Sequence, residues 1–189
     1  MSGADETDAR ALARLVGARV RRLRSERGWS LSSLAERAGL GKATLSELES
    51  GQRNPTLETL YAIAAQLQIG LSELLLEDGS PTTRAPVVRG DAVEGTLVAV
   101  YHDPSVTTEI YRLRILPGRR QVSPGHGAGV VEHLLITAGA ISAGPLDQPV
   151  ELSAGDDWTW EPTGAHGYAA IGDETAEAVL IMRHPRATP

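Results

Sequence analysis

Residues 28–67 read GWSLSSLAERAGLGKATLSELESGQRNPTLETLYAIAAQL, and three short helices punctuated by glycine can be laid along them. Ser30 is a residue type that accepts a hydrogen bond from the free amides of a helix start, so a helix is predicted from about Leu31 to Ala38. Gly39 supplies the left-handed residue that ends such a helix, and Leu40 the apolar contact that follows it. The next helix is predicted from about Lys42 to Ser50, stopping at Gly51. Pro55-Thr56 opens another, with Leu57, Leu60, Ile63, Ala64 and Leu67 turned inward at helical spacing.

The pattern extends in both directions. Upstream, Leu12, Leu15, Val16, Val20 and Leu23 form one apolar stripe that ends at Gly28; downstream, Leu71–Leu75 closes a five-helix bundle over 9–76. Residues 1–8 are polar and acidic and are predicted to be a disordered tail. Residues 77–90, EDGSPTTRAPVVRG, carry turn formers without periodicity and are predicted to be a linker. From 91 to 189 the text changes to short strand-like runs, TLVAVY, EIYRLRIL, VVEHLLIT, WTW and EAVLIM, separated by turns such as PG, GPLD and AGDD. Many short strands at regular spacing predict a sandwich or barrel, so the fold class is α+β in two domains.

Bulk properties constrain what such a chain does. Its 189 residues fit one large domain or two small ones, there is no cysteine, and no apolar run is long enough to cross a membrane as a helix. The start does not read as a signal peptide, so a cytoplasmic location is expected. The net charge of −6 argues against nucleic acid until it is divided. Residues 9–76 hold ten Arg/Lys against six Asp/Glu, whereas 77–189 hold eight against fifteen. A basic block joined to an acidic one suggests a division of labour.

Two short helices joined by the turn Ala38-Gly39-Leu40-Gly41 form a helix-turn-helix, in which the first braces the backbone and the second enters the major groove by its N-terminal end. Over roughly residues 15–76 the order SLSSLAERAGL, TLSELESG, NPTLETLYAIA resembles the XRE family, the lambda-repressor-like helix-turn-helix regulators. That resemblance places Lys42, Ala43, Thr44 and Glu47 on the exposed start and face of the recognition helix. A lysine can donate to guanine or phosphate, a threonine can meet a base or a thymine methyl, and a glutamate can accept from cytosine N4. Ser30 and Ser32 are placed for phosphate through hydroxyls and backbone amides, and Gln52, Arg53 and Asn54 for phosphate after the recognition helix. Arg24 and Glu49 match a family pair whose salt bridge ties the first helix to the third, while Leu31 stands where many relatives carry glutamine. The resemblance implies a homodimer, or a dimer of dimers as a tetramer, on a palindromic double-stranded DNA operator, with the second domain supplying the two-fold axis and repression as the commoner mode.

The second half resembles the cupin superfamily, a double-stranded β-helix or β-barrel, and the two halves together resemble XRE–cupin regulators. In PGRRQVSPGHGAGVVEHLLITAG, residues 117–139, the positions His126, Glu132 and Gly139 match the first cupin motif, but Ala128 replaces its second histidine. In AGDDWTWEPTGAHGY, residues 154–168, His166 matches the second motif. The resemblance makes His126, Glu132 and His166 three of the usual four ligands of a divalent metal, Zn, Ni, Fe or Mn. Without a metal, the same residues would bind an organic effector or simply hydrogen-bond. Trp158 and Trp160 share a strand face and either wall a ligand pocket or belong to core or dimer interface. Tyr111, with Leu113 and Ile115, faces inward as core or ligand wall; Arg112 and Arg114 take the opposite face, solvated, at an interface or toward an anionic ligand, and His133 next to Glu132 points outward, exposed or at an interface.

These readings make the chain a non-enzymatic transcriptional regulator controlled by a small-molecule effector in the barrel. Two alternatives remain open: a metal-dependent cupin enzyme carrying a DNA-binding head, and an antitoxin-like interaction module whose barrel only dimerises or binds a protein.

Overall fold

The computed structural model describes residues 3–76 and 86–186 of the chain, with side chains from residue 9 onward. It divides into two compact units, residues 1–82 and 83–189.

The first unit holds α1 (Gly3–Glu26), α2 (Leu31–Arg37), α3 (Lys42–Glu49), α4 (Leu57–Leu67) and α5 (Ser72–Leu75). The α1 helix begins six residues before the predicted Ala9 start, inside the segment expected as a disordered tail. Acidic residue types early in a helix offset its dipole, and this favours helix over coil there. The caps follow the sequence. Ser30 Oγ accepts from the Ser33 amide at 3.1 Å, and past Gly39 (φ 65°) the Leu40 amide donates to the Ala35 carbonyl at 2.8 Å. Val16, Val20, Leu34, Leu45, Leu48, Leu60, Ile63, Leu67 and Leu74 make the core. Arg24 braces α1 against α3: its Nε and Nη2 donate to the two Glu49 carboxylate oxygens at 2.6 and 2.8 Å, and its Nη1 donates to the Trp29 carbonyl.

One cap lacks the residue it wants. Gln68 ends α4 in the left-handed region (φ 54°), with the Ile69 amide donating to the Ala64 carbonyl. A side chain there costs about 1 kcal/mol that glycine avoids. Gln68→Gly is therefore expected to raise stability by about 0.5–1 kcal/mol in urea unfolding, although it also loosens the unfolded chain.

Among the described residues, the second unit is built of strands: β1 (Val87–Arg89), β2 (Val93–His102), β3 (Val106–Ile115), β4 (Gln121–Ser123), β5 (Val131–Ala138), β6 (Ala140–Pro145), β7 (Val150–Ser153), β8 (Asp157–Trp160), β9 (His166–Ala170) and β10 (Ala176–Pro185). The predicted 77–90 linker thus ends in a strand; residues 77–85 lie outside the described residues. Six strands form one antiparallel sheet in the order β1-β2-β3-β10-β5-β8, and four form another in the order β4-β9-β6-β7. This is the cupin-type arrangement, as two sheets rather than one closed hydrogen-bonded barrel. The inner faces meet: Trp158 on β8 lies so close over Gly144 on β6 that a Cβ there would sit 2.7 Å from the indole. Along β3 the alternation is strict, with Thr107, Glu109, Tyr111, Leu113 and Ile115 buried and Arg112 and Arg114 exposed.

Candidate nucleic-acid interface and metal centre

The α3 helix buries Leu45 and Leu48 and exposes Lys42, Ala43 and Glu47, with Thr44 half-buried. Its three-to-four spacing turns one face to the core and leaves the N-terminal end and the opposite face to solvent. Ser30 and Ser32 at the start of α2, and Gln52, Arg53 and Asn54 after α3, are exposed as well. The Ser30 oxygen is engaged in capping, which leaves its hydroxyl proton free to donate. Arg53 Nη1 lies 3.5 Å from Glu47 Oε2; an exposed pair at that range is worth little, so neither group is committed to the other.

In the β unit, His126 arrives on the loop after β4, Glu132 is the second residue of β5, and His166 opens β9. They converge. His126 Nε2 is 2.9 Å and His166 Nε2 3.8 Å from Glu132 Oε1, and one ligand atom from each lies within 4.8 Å of the others. The His126 and His166 rings meet edge-on with centroids 5.0 Å apart. Tyr168, two residues after His166 on the same strand face, donates its hydroxyl to Glu132 Oε2 at 2.5 Å. Trp160 closes one side, its ring 6.3 Å from His166 and 6.0 Å from Tyr168, with Trp158 stacked on it at 4.1 Å. The Trp160 Nε1 is buried and has no hydrogen-bond partner among the described residues.

Burial pushes the Glu132 carboxyl up, but the hydrogen bond and electrostatic influence of His126, together with His166 and the Tyr168 hydroxyl, outweigh it and hold the carboxyl below the usual range. Burial holds the His166 imidazole below its ordinary value, helped by His126 and opposed by Glu132 and the Gly164 carbonyl. The His166 Nδ1 lies 3.1 Å from the Gly164 carbonyl, so it carries the proton and leaves Nε2 as the lone pair facing Glu132. A deprotonated imidazole and an ionised carboxylate are the forms a metal ligand needs. The cluster offers a divalent ion the His166 Nε2 lone pair, a Glu132 carboxylate oxygen and, once the ion displaces the proton that bonds it to Glu132, His126 Nε2, with further coordination positions left over.

Residues 20–74 match the family model described as Helix-turn-helix, HTH_3. The uncharacterized HTH-type transcriptional regulator y4dJ of Sinorhizobium fredii is 40% identical over 73 residues, which are 39% of this chain and 90% of that protein. The chain belongs to the XRE (HTH_3) family of helix-turn-helix transcriptional regulators. The likeness extends beyond the head. The HTH-type transcriptional regulator SutR of Escherichia coli K12 is 29% identical over 175 residues, covering 93% of this chain and 98% of that protein. The crystal structure of an HTH_3 family transcriptional regulator from Vibrio cholerae superposes with a TM-score of 0.81 at 27% identity, covering 94% of this chain and 99% of that one.

In this XRE regulator the family pair Arg24 and Glu49 is present as a bidentate bridge, its side chains 13% and 7% exposed. The metal-motif residues and both tryptophans come to one place. Tyr111 sits on the inner face of β3, where its hydroxyl donates to the fully buried Glu109 at 2.7 Å. The His184 Nε2 lies 3.3 Å from the same carboxylate. Ala128 is exposed in the loop after His126 and offers no donor. Sequence reasoning missed Tyr168 and Glu109. For Tyr168 the signal was available, since His166 and Tyr168 are two apart on a strand; Glu109 gave none, because its partners are distant in sequence. Tyr168→Phe removes the hydroxyl that orients Glu132 and is expected to weaken divalent-metal affinity about 10–100-fold by titration calorimetry, and, since a buried hydrogen bond to a carboxylate goes with it, to lower the stability of the metal-free chain by about 1–3 kcal/mol.

Proposed function

We propose that this regulator reads operator DNA with the N-terminal end of α3, acts as a homodimer on a palindrome, and is controlled through the His126–Glu132–His166 cluster of its β unit. The observation that carries the reading is the two-sided character of α3, whose leucines are buried while Lys42, Ala43, Thr44 and Glu47 face outward. Lys42 and Thr44 would meet base edges, Glu47 a cytosine amine, and Ser30, Ser32, Gln52, Arg53 and Asn54 the flanking phosphates.

The cluster would hold a divalent ion through His126, Glu132 and His166, and when bound the ion would supply a Lewis-acid anchor for an oxygen of the effector. Tyr168 orients Glu132, the Gly164 carbonyl fixes the His166 tautomer, and Trp160 offers an indole N–H and an aromatic wall. An effector controls DNA binding only if it binds the DNA-competent and DNA-incompetent states with different affinity. Footprinting on the DNA upstream of the regulator's own gene tests the reading: two protected half-sites about a helical turn apart support it, and uniform protection that random DNA competes away contradicts it.

A second reading, a metal-dependent enzyme with a DNA-binding head, is favoured by one observation, the facial cluster itself. Metal-dependent turnover lost in His166→Ala, with no sequence-specific DNA binding, would establish it over the first.

A further inference from the structure

We propose that the outer face of the six-stranded sheet is the homodimer interface, two copies packing face to face about a two-fold axis that runs along the strands between β10 and β5. This rests on the reading that the regulator acts as a dimer, and it names the surface.

The outward side of a sandwich sheet in a monomer is expected to be polar. Here its centre is mostly apolar, with His133 of β5 beside Ile181. On β3, β10 and β5 the outward positions Ile110, Ile181 and Val179 are half-buried and Leu135 is 38% exposed. Register makes them neighbours: Ile110 pairs with Ile181, and Val179 with Leu135. One row further along the strands the face turns charged, where Arg114 donates to Glu94 at 2.7 Å. An apolar centre with a polar margin is the anatomy of an interface.

Charge placement identifies the occupant as a second copy. Arg112 on β3 pairs with Val179, Val179 with Leu135, and Leu135 with Asp157 on β8. These four therefore form one row across four adjacent strands, with a cation at one end and an anion at the other. Arg112 and Asp157 are both exposed, and among the described residues neither forms an ion pair. In an isologous interface each residue meets the one equally far on the other side of the axis. An axis between β10 and β5 sets Val179 against Leu135 of the partner subunit, and one strand further out Arg112 against Asp157 of the partner subunit. The single row satisfies both copies at once. Two sheets stacked this way keep their strands within about 30° of each other, the ordinary aligned packing of sandwiches.

Sedimentation equilibrium on the purified full chain, without DNA, tests the surface independently of the regulator reading. Wild type is expected to be a dimer. Arg112→Asp and Asp157→Arg each set like charges together and are expected to raise the dimer dissociation constant about 10-fold or more. The double reversal Arg112→Asp/Asp157→Arg restores the pairing and is expected to return to within about threefold of wild type. Circular-dichroism melts that coincide with wild type show that the variants fold. A monomeric wild type, single reversals that leave the dimer unchanged, or a double reversal as weak as the singles would overturn the proposal.

Discussion

Gly17→Ala is expected to destabilise the helical unit by about 3 kcal/mol or more, opposite in sign to the same change in an open helix. In an unobstructed helix interior, alanine is better than glycine by about 1 kcal/mol. At position 17 of α1 a Cβ would sit 2.2 Å from the Leu48 carbonyl oxygen and 3.1 Å from the Glu49 backbone. Those atoms are backbone and cannot rotate away, so α1 and α3 would have to separate. The Arg24–Glu49 bridge spans the same two helices at 2.6 and 2.8 Å, and separation would lengthen it. Burial of Val16, Val20, Leu45 and Leu48 would suffer together. A domain's whole stability is about 5–15 kcal/mol, so a loss of this size is visible in urea unfolding followed by circular dichroism. A variant as stable as wild type, or more so, would show that the two helices do not meet at Gly17.

Lys42→Ala/Thr44→Ala is expected to weaken operator binding about 30-fold or more while leaving the fold intact. Each base contact is worth about 1–3 kcal/mol, and the two together about 2–6 kcal/mol, where 1.4 kcal/mol is a tenfold change. Alanine is a good helix former, Lys42 is exposed and Thr44 half-buried, and neither belongs to the core. Loss of one positive charge also lowers the salt dependence slightly, but random DNA should lose far less affinity than the operator. The comparison of the two DNAs separates base reading from electrostatics. Equal losses on operator and random DNA would reduce Lys42 to a phosphate contact.

How far such features could be read in advance depends on how local their causes are. Ser30, Gly39 and Leu40 act within a few residues of themselves, so the α2 cap and the turn into α3 were legible from order alone. The outward face of α3 followed from spacing, since Leu45 and Leu48 are three apart. Gly17 was not legible, because a glycine within a helical pattern does not announce which backbone crosses it. His126, Glu132 and His166 were found through motif spacing, although the gap from Gly118 to His126 departs from the family's. The Tyr168 hydroxyl on Glu132 and the Glu109–Tyr111–His184 group join residues 36, 2 and 75 positions apart, and only strand order brings the distant ones together. Strand order is also what puts Arg112 and Asp157 in one row. Sheet pairing is set by non-local packing, whereas alternation along a strand reveals only which residues share a face.

The measurement that bears most directly on the central claim is the ratio of dissociation constants for the operator and for random DNA of equal length, taken with wild type at a fixed physiological salt concentration. A DNA-reading regulator is expected to prefer the operator by about a thousandfold or more, a preference that Lys42→Ala/Thr44→Ala sharply reduces. A ratio near one, unchanged by that double substitution, would mean that α3 does not read sequence and that the chain's function lies in its β unit.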